Sequence, residues 1–442
     1  MKTFKMGGVH PEENKISTQA VIEQMPLPKQ VAVLTSQHLG APATPIVAKG
    51  DKVKVGQLIA EAQAFMCANV HSPVSGTVNK IDTCKDAFGL AKNAIYIDVE
   101  GDEWMDGIDR TPDIIRECAL EPKDIVAKLK AMGIVGLGGA TFPAHIKYSI
   151  PDGKKAEYLI INAAECEPYL TSDHRVMIEH AEEICIGVGI LRKALGVPNA
   201  YIGIESNKPD CIAVMTDMAK GFEGIVVEPL KVKYPQGAEK QLINAITGRK
   251  VPSGKLPIDV GCVVSNVGTA FAVYEAIQKN KPLIENILTV TGKRLPSQHN
   301  YQVRIGITYN QIIQHSLGSL PDTTGKVVSG GTMMGKAVCN LDGPTTKGAA
   351  SVLVIDESEA RRMPETNCIR CGKCMDACPM GLEPYLFSAL VRNGRMEEAG
   401  QHHILDCIEC GCCFFSCPAN KPLTDEIRLG KGKLRALMAA KR

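Results

Sequence analysis

CIRCGKCMDACP (368–379) and CIECGCCFFSCP (407–418) determine how the carboxy-terminal end of this chain folds. Each run sets cysteines at i, i+3, i+6 and i+10 and follows the last with proline. Three thiolates at the first three positions wrap one corner of an iron–sulfur cubane, with backbone amides turned toward the sulfurs. The fourth ligand then comes from the other run. This reading assigns one [4Fe–4S] cluster to Cys368, Cys371, Cys374 and Cys417, and a second to Cys407, Cys410, Cys413 and Cys378. Pro379 and Pro418 end the local helices just beyond the last ligand. Zinc also takes CxxC pairs, but as two separated pairs rather than two quartets. Cys412 is surplus to the spacing and reads as a packing cysteine. Between the runs, LEPYLFSALVRNGRMEEAGQHH reads as a helical spacer with Leu386, Leu390 and Val391 on its apolar side.

The rest of the composition agrees with a redox role in a reducing compartment. Of 17 cysteines in 442 residues, nine fall between Cys368 and Cys417, which is not the even distribution of a disulfide framework. A net charge of +2 argues against a dedicated nucleic-acid binder. No run approaches the length of a transmembrane helix. MKTFKMGGVHPEENK (1–15) lacks the apolar stretch of a signal peptide, so a soluble cytoplasmic chain is expected.

Upstream, PIVAKGDKVKVGQLIAEAQAFMCANVHSPVSGTVNKI (45–81) alternates apolar and polar residues around tight glycine turns, as an all-β unit does. It resembles the biotinyl/lipoyl barrel-sandwich domain. The hairpin AQAFMCANVH holds no lysine to modify, which leaves a structural or docking role. From about residue 121 helix and strand signals alternate: EPKDIVAKLKAMG, EYLIINAAE, DHRVMIEHAEEICIGVGILRKALG read as one long helix, AYIGIES, KPDCIAVMTDMAKG and GIVVEPLKVKY. These predict a layered α/β domain. Residues 283–350, with ILTVTGK, YNQIIQHSLG and KVVSGGTMMGKAV, read as a small β-grasp-like unit. DESEARRMPETN (356–367) is a polar linker. RLGKGKLRALMAAKR (428–442) carries six basic residues and no acid, and reads either as a contact for an anionic surface or as a frayed tail. The divisions are 1–110, 111–282, 283–355 and 356–442.

GIVGLGGATFP (133–143) is the second informative stretch. It is not a dinucleotide fingerprint, because Thr141 occupies the last glycine position and the loop follows a helix instead of a strand. Its bare amides suit either a phosphate, with Lys147 just beyond to neutralise it, or a packing turn. GLGGATFPAHIK resembles the flavin loop of the FMN/NADH subunit of respiratory complex I, GRGGAGFP with a lysine eight residues after its second paired glycine. INAAECEP (161–168), YPQGAE (234–239) and SNVGT (265–269) resemble the same family's NADESEP, YxxGEE and NNVET. With the amino-terminal FKMGGVHPEENK, the barrel-sandwich segment and the double cluster, the whole chain resembles the RnfC family, a peripheral subunit of the Rnf ion-translocating ferredoxin:NAD oxidoreductase complex.

The resemblance implies FMN phosphate contacts from Gly136, Gly138, Gly139 and Lys147. It sets Asn162 and Glu165 beside the ribityl chain and ring, and Glu167 near the nicotinamide nucleotide. Phe142 would stack on an aromatic ring. Tyr234, Gly237 and Glu239 would line the nucleotide side, with Asn266 and Thr269 closing the phosphate end. Leu137, Ala164 and Ala238 depart from the family's arginine, aspartate and glutamate. FMN stands between NAD(H), which exchanges hydride, and clusters that pass single electrons. The implied partners are integral-membrane and other subunits of the complex, with ferredoxin reached indirectly. The implied location is the cytoplasmic face of the bacterial membrane, without a transmembrane segment. A soluble flavo-iron–sulfur reductase of the cobalamin-reductase type, or a conduit without flavin, are the alternatives.

Overall fold

The computed structural model describes residues 1–441. Residues 30–99 form two small antiparallel sheets facing one another. One runs in the order Gln30–Leu34, Ala91–Val99, Gly76–Lys85, Lys52–Val53; the other is Thr44–Pro45, Leu58–Glu61, Val70–His71. Alternate residues point inward: Val31, Val33, Val78, Ile95 and Ile97 are buried. This is the period-two signature of strands with one wet face.

The central unit is a four-stranded sheet in which all neighbours are parallel. Its order is Ile225–Leu230, Ala200–Glu205, Tyr158–Asn162, Cys262–Asn266. The inner strands are almost continuously apolar because helices cover both faces. The stretch expected as one helix from Asp173 to Leu195 is two, Ser172–Glu179 and Ala181–Leu195. The break is His180, whose backbone leaves the helical region (φ −131°, ψ 36°). Its ring stacks on Phe271 at 4.4 Å and reaches Glu183 at 3.1 Å. A tertiary contact overrides helix periodicity there.

A six-stranded mixed sheet follows. His299–Arg304, Glu285–Thr291, Ser351–Asp356 and Thr324–Ser329 lie between two edge strands, Ile22–Gln24 and Lys336–Ala337. The edge strand Ile22–Gln24 pairs in parallel with Asn300–Gln302, not with the barrel-sandwich sheets that follow it in sequence. Earlier residues also leave that unit: Lys2 bridges to Leu230 and Val9 to Tyr234.

The carboxy-terminal unit is helical. Its spacer is two helices, Pro384–Arg392 and Met396–Gln401, divided by Gly394 at φ 72°. The basic end is not frayed. Leu423–Ala440 is an 18-residue helix with Ile427, Gly430 and Leu434 buried, and it packs on the first spacer helix. Lys431 Nζ donates to the Cys407 carbonyl at 2.6 Å and to Glu409 at 2.6 Å.

Lys347, fully buried, joins three of these units. Its Nζ donates to the carbonyls of Asn69, in the barrel-sandwich hairpin, and of Gly133, just before the glycine loop, both at 2.7 Å. Its own N–H donates to Gln37 at 3.0 Å. Burial pulls the amine down to about 7, and even the neutral form keeps two hydrogens for the two carbonyls. Lys347→Met is expected to strand both acceptors and to lower unfolding stability by roughly 2–4 kcal/mol, measured by urea denaturation.

Candidate functional site

The parallel sheet provides its own crevice. From Tyr158–Asn162 the chain moves outward in one direction to the strands at 200–205 and 225–230. It then returns to place Cys262–Asn266 on the other side. Such a reversal opens a gap at the carboxyl ends of the two strands, where ligands bind in open α/β sheets. Asn162 and Asn266 end those strands and are register partners.

Both asparagines are engaged. Asn162 Nδ2 donates to the Gly237 carbonyl at 2.8 Å, and its Oδ1 accepts the Ala164 N–H at 3.2 Å. Asn266 caps the helix Val267–Gln278, accepting the Gly268 N–H at 2.8 Å and donating to Asp173 Oδ2 at 2.7 Å. The glycine loop lies across that helix start. The Gly136 N–H donates to the Phe142 carbonyl at 2.9 Å, closing the loop, and the Leu137 N–H donates to Thr269 Oγ1 at 3.0 Å. A Cβ on Gly138 would sit 2.6 Å from Asn266 Nδ2, so only a bare backbone fits; around Gly139 there is open space. A helix amino terminus and a glycine cradle with one open position form an anion site. The residues fit a flavin phosphate. Lys147 Nζ, on the short helix after the loop, holds the Val264 carbonyl at 2.9 Å and Glu239 at 3.1 Å.

The departures from the family pattern have visible consequences. Leu137 lines a small pocket with Asp173, Val176, Gly268 and Phe271. Ala164 is buried, and its carbonyl accepts from Lys208 Nζ at 2.7 Å. Ala238 is the residue before the helix Glu239–Thr247.

Glu167 and Tyr234 face the cysteine-rich unit. The Tyr234 hydroxyl lies 3.0 Å from Glu167 Oε1 and 2.8 Å from the Cys410 carbonyl oxygen. Glu167 also accepts the N–H groups of Met333 and Met334, at 3.1 and 3.0 Å. Burial raises its carboxyl pKa against those bonds.

Two residues escaped the sequence reading. Lys15 Nζ donates to the carbonyls of Glu165, Glu167 and Leu170 at 2.7, 2.8 and 2.6 Å, fastening the loop that carries the two glutamates. Asp173, whose N–H donates to Glu165 Oε1 at 2.7 Å, is half-buried at the edge of the pocket lined by Leu137. Burial first, then the Glu165 charge, pushes it up to about 7. Glu165 Oε2 is buried with no hydrogen-bond partner, 3.8 Å from Lys15 Nζ. The HPEENK motif did contain Lys15, but its contacts lie 150 residues away in sequence.

The two cysteine runs fold alike. Arg370 and Glu409 take positive φ (55° and 58°), as do Gly372 and Gly411 (78° and 80°), and short helices Lys373–Asp376 and Cys412–Phe415 follow. Cys378 of the first run lines one cavity with Cys407, Cys410 and Cys413 of the second, walled by Leu382, Phe387 and Ile427. Burial pushes the Cys407 and Cys413 thiols up to about 12. Thiols so placed are costly to ionise without a metal. The Leu382 and Glu409 amides point at the Cys378 and Cys407 sulfurs at 3.4 and 3.3 Å. Acceptor sulfurs that meet backbone N–H groups in an apolar cavity fit an iron–sulfur cluster. In the other group Cys374 is raised by burial and has Cys417 and Cys368 beside it, while Cys368 and Cys371 are exposed. Cys412 is fully buried beside Val9, Tyr234 and Ala377.

Comparison with known proteins places these sites in context. The RnfC barrel-sandwich hybrid domain family matches residues 2–102, the Nuo51 FMN-binding domain family residues 129–275, and the 4Fe-4S dicluster domain family residues 367–421. Over 442 residues the chain is 45% identical to the RnfC-type member of the "Proton-translocating ferredoxin:NAD(+) oxidoreductase complex" of Clostridium ljungdahlii, covering 99% of this chain and 95% of that one. Over 437 residues it is 42% identical to the corresponding member of the "Na(+)-translocating ferredoxin:NAD(+) oxidoreductase complex" of Acetobacterium woodii, covering 97% and 96%. A chain of the NAD+-reducing [NiFe]-hydrogenase in the air-oxidized state is similar with a TM-score of 0.48 at 17% identity, over 71% of this chain and 66% of that one.

The Asp173 carboxyl gives a signed pH dependence. Its native value of about 7 lies above the ordinary 3.8. Between these the native state holds a proton that the unfolded state has lost, so this group lowers stability as pH rises. Asp173→Asn keeps the Asn266 contact and removes the slope. Its melting temperature relative to the parent is expected to climb from about pH 5 to about pH 8, read by thermal denaturation.

Proposed function

The chain belongs to the RnfC family, and from that premise we propose how its site works within an ion-translocating ferredoxin:NAD+ oxidoreductase complex. The protein is an electron-transfer subunit that uses NAD(H), FMN and two [4Fe–4S] clusters. FMN, when bound, accepts or gives two electrons as hydride with NAD(H) and exchanges them singly with a cluster.

The chain's own residues bind, orient and insulate. The amides of Gly138 and Gly139, with Lys147, hold the phosphate, whereas the Gly136 N–H expected to join them is taken up by the Phe142 carbonyl and shapes the loop instead; Asn266 and Thr269 fix that loop from behind. Glu239 keeps Lys147 aimed. Asn162 and Glu165 border the ribityl chain and ring, and Phe142 offers an aromatic face. Glu167, Tyr234 and Gly237 form the nucleotide side. Cys378, Cys407, Cys410 and Cys413 ligate the inner cluster. Cys368, Cys371, Cys374 and Cys417 ligate the outer one.

The observation that carries this reading is the Tyr234–Cys410 contact, which sets the inner cysteine group directly against the nucleotide side of the crevice. Burial then sets the order: Cys378, Cys410 and Cys413 are buried, whereas Cys368 and Cys371 open to solvent. The residues of the inner group would hold a cluster between the crevice and the outer group, where it would supply single-electron exchange. Among the described residues no helix is long and apolar enough to cross a membrane. In this reading other members of the complex provide the ion path and hold this one at the cytoplasmic face. We divide the chain at 110, 282 and 355, with a layered α/β flavin domain and a β-grasp-like third domain.

Anaerobic analysis of the purified chain is expected to find about eight irons and about one FMN, with NADH bleaching the flavin absorbance. Absence of flavin would refute the site. Cys378→Ala tests the crossed ligation. It is expected to lose the signal of the inner cluster, about four irons, although Cys378 lies in the first run. Retention of all the iron would refute the assignment.

A further inference from the structure

The HPEENK motif (10–15) lies along the loop that carries Glu165 and Glu167. The Tyr169 N–H donates to the Glu13 carbonyl at 2.9 Å, and the hydroxyls of Ser17 and Thr171 meet at 2.7 Å. Between these two contacts Lys15 Nζ donates to three carbonyls, those of Glu165, Glu167 and Leu170. The loop needs such a hold. Glu165 and Tyr169 both take positive φ, 44° and 71°. Residues with a Cβ rarely adopt that region, and they keep it only where the surroundings over-determine the backbone.

The three acceptors also fix the charge of the amine. A neutral amine carries two hydrogens and an ammonium three, so three carbonyls on one nitrogen require the ammonium. Lys347, with two carbonyls, has no such requirement. Burial pulls the Lys15 amine down, and the Glu165 charge opposes that pull. The Lys15 side chain is 13% exposed and that of Glu165 4%, with Nζ and Oε2 3.8 Å apart. Every hydrogen of the ammonium is spent on the loop. The pair is therefore held by charge alone, and among the described residues Glu165 Oε2 has no hydrogen-bond partner.

We propose that Lys15 is a positioning residue for flavin reduction: its three hydrogen bonds shape the crevice loop, and its charge keeps Glu165 ionised at the crevice. This rests on the flavin reading above, which sets Glu165 beside the ribityl chain and ring. Without the ammonium the enclosed carboxylate has lost its nearest counter-charge, a costly arrangement that either protonation or displacement of the side chain relieves. Lys15 thus acts on the reaction through Glu165, from a segment that lies 150 residues away in sequence.

The test is a double-mutant cycle on the full chain loaded with its cofactors, reading the anaerobic rate at which saturating NADH bleaches the flavin, per bound FMN. Lys15→Met is expected to slow bleaching about tenfold in the parent but less than about twofold in a Glu165→Gln background, where no carboxylate is left to balance. The melting temperatures of the four proteins are compared in the same way and decide the matter where a rate is too slow to read. An equal loss in both backgrounds overturns the proposal, because Lys15 would then be a scaffold clamp only. An unchanged rate for Lys15→Met in the parent overturns it too. If Lys15→Met gives no folded chain, or one without flavin, the double variant decides: recovery on adding Glu165→Gln supports the charge coupling, and continued failure overturns it. A parent whose flavin NADH does not bleach defeats the flavin reading instead, before any variant is made.

Discussion

One buried phenol ties the α/β unit to the cysteine-rich unit. The Tyr234 hydroxyl sits between the Glu167 carboxylate and the carbonyl of Cys410 in the helical unit. A chain that moves electrons between a flavin and a cluster must hold two separately folded units at a fixed short separation. Loops do not meet that requirement; a buried side chain with partners on both sides does. The amino-terminal segment reinforces the junction. Val9 exchanges backbone hydrogen bonds with Tyr234 at 2.8 and 2.9 Å, and the Gly8 N–H donates to Ala377 at 3.0 Å. A Cβ on Gly7 would press on the Cys378 carbonyl at 2.5 Å, and Gly7 also needs its positive φ. The glycine pair is what lets the strand pass between crevice and cluster unit.

The sequence was most readable where function is local. Ligand spacing in the two cysteine runs is set by the reach of one turn of backbone, so the motif and its geometry are nearly the same thing. The same holds for the glycine loop, where Gly138 must lack a side chain because Asn266 fills the space. What stayed hidden depends on distant pairs. Lys15 clamps three carbonyls from the far end of the chain, and the Asp173 carboxyl is raised by burial that no local pattern reports. His180 breaks a periodic helix only because Phe271 waits across the gap. The strand Ile22–Gln24 is too short to announce itself, and its partner, Asn300–Gln302, lies in the last third of the chain.

Charge burial follows the same division. Lys15, Glu165, Glu205, Lys208 and Asp173 lie together beneath the crevice, and burial pushes both Asp173 and Glu205 up to about 7. Such a cluster is expensive to assemble and is held only where opposite charges and carbonyls compensate it. Here the compensation comes from Lys15 and Lys208, which also fasten the segment from Ala164 to Leu170, so the electrostatic balance and the shape of the crevice are one structure.

The two cysteine groups are unequally buried. The inner group is enclosed by Leu382, Phe387 and Ile427 and has the Tyr234 contact behind it. The outer group has two exposed cysteines, Cys368 and Cys371, with Ile369 and Met363 exposed alongside. Solvent exposure and amide donors are among the factors that set cluster potentials. Two sites built from nearly one sequence therefore need not share one potential, because the fold presents one to protein and the other to water. The repeat supplied two equal cages, and the packing of the amino-terminal strand and the flavin unit against only one of them made the pair unequal.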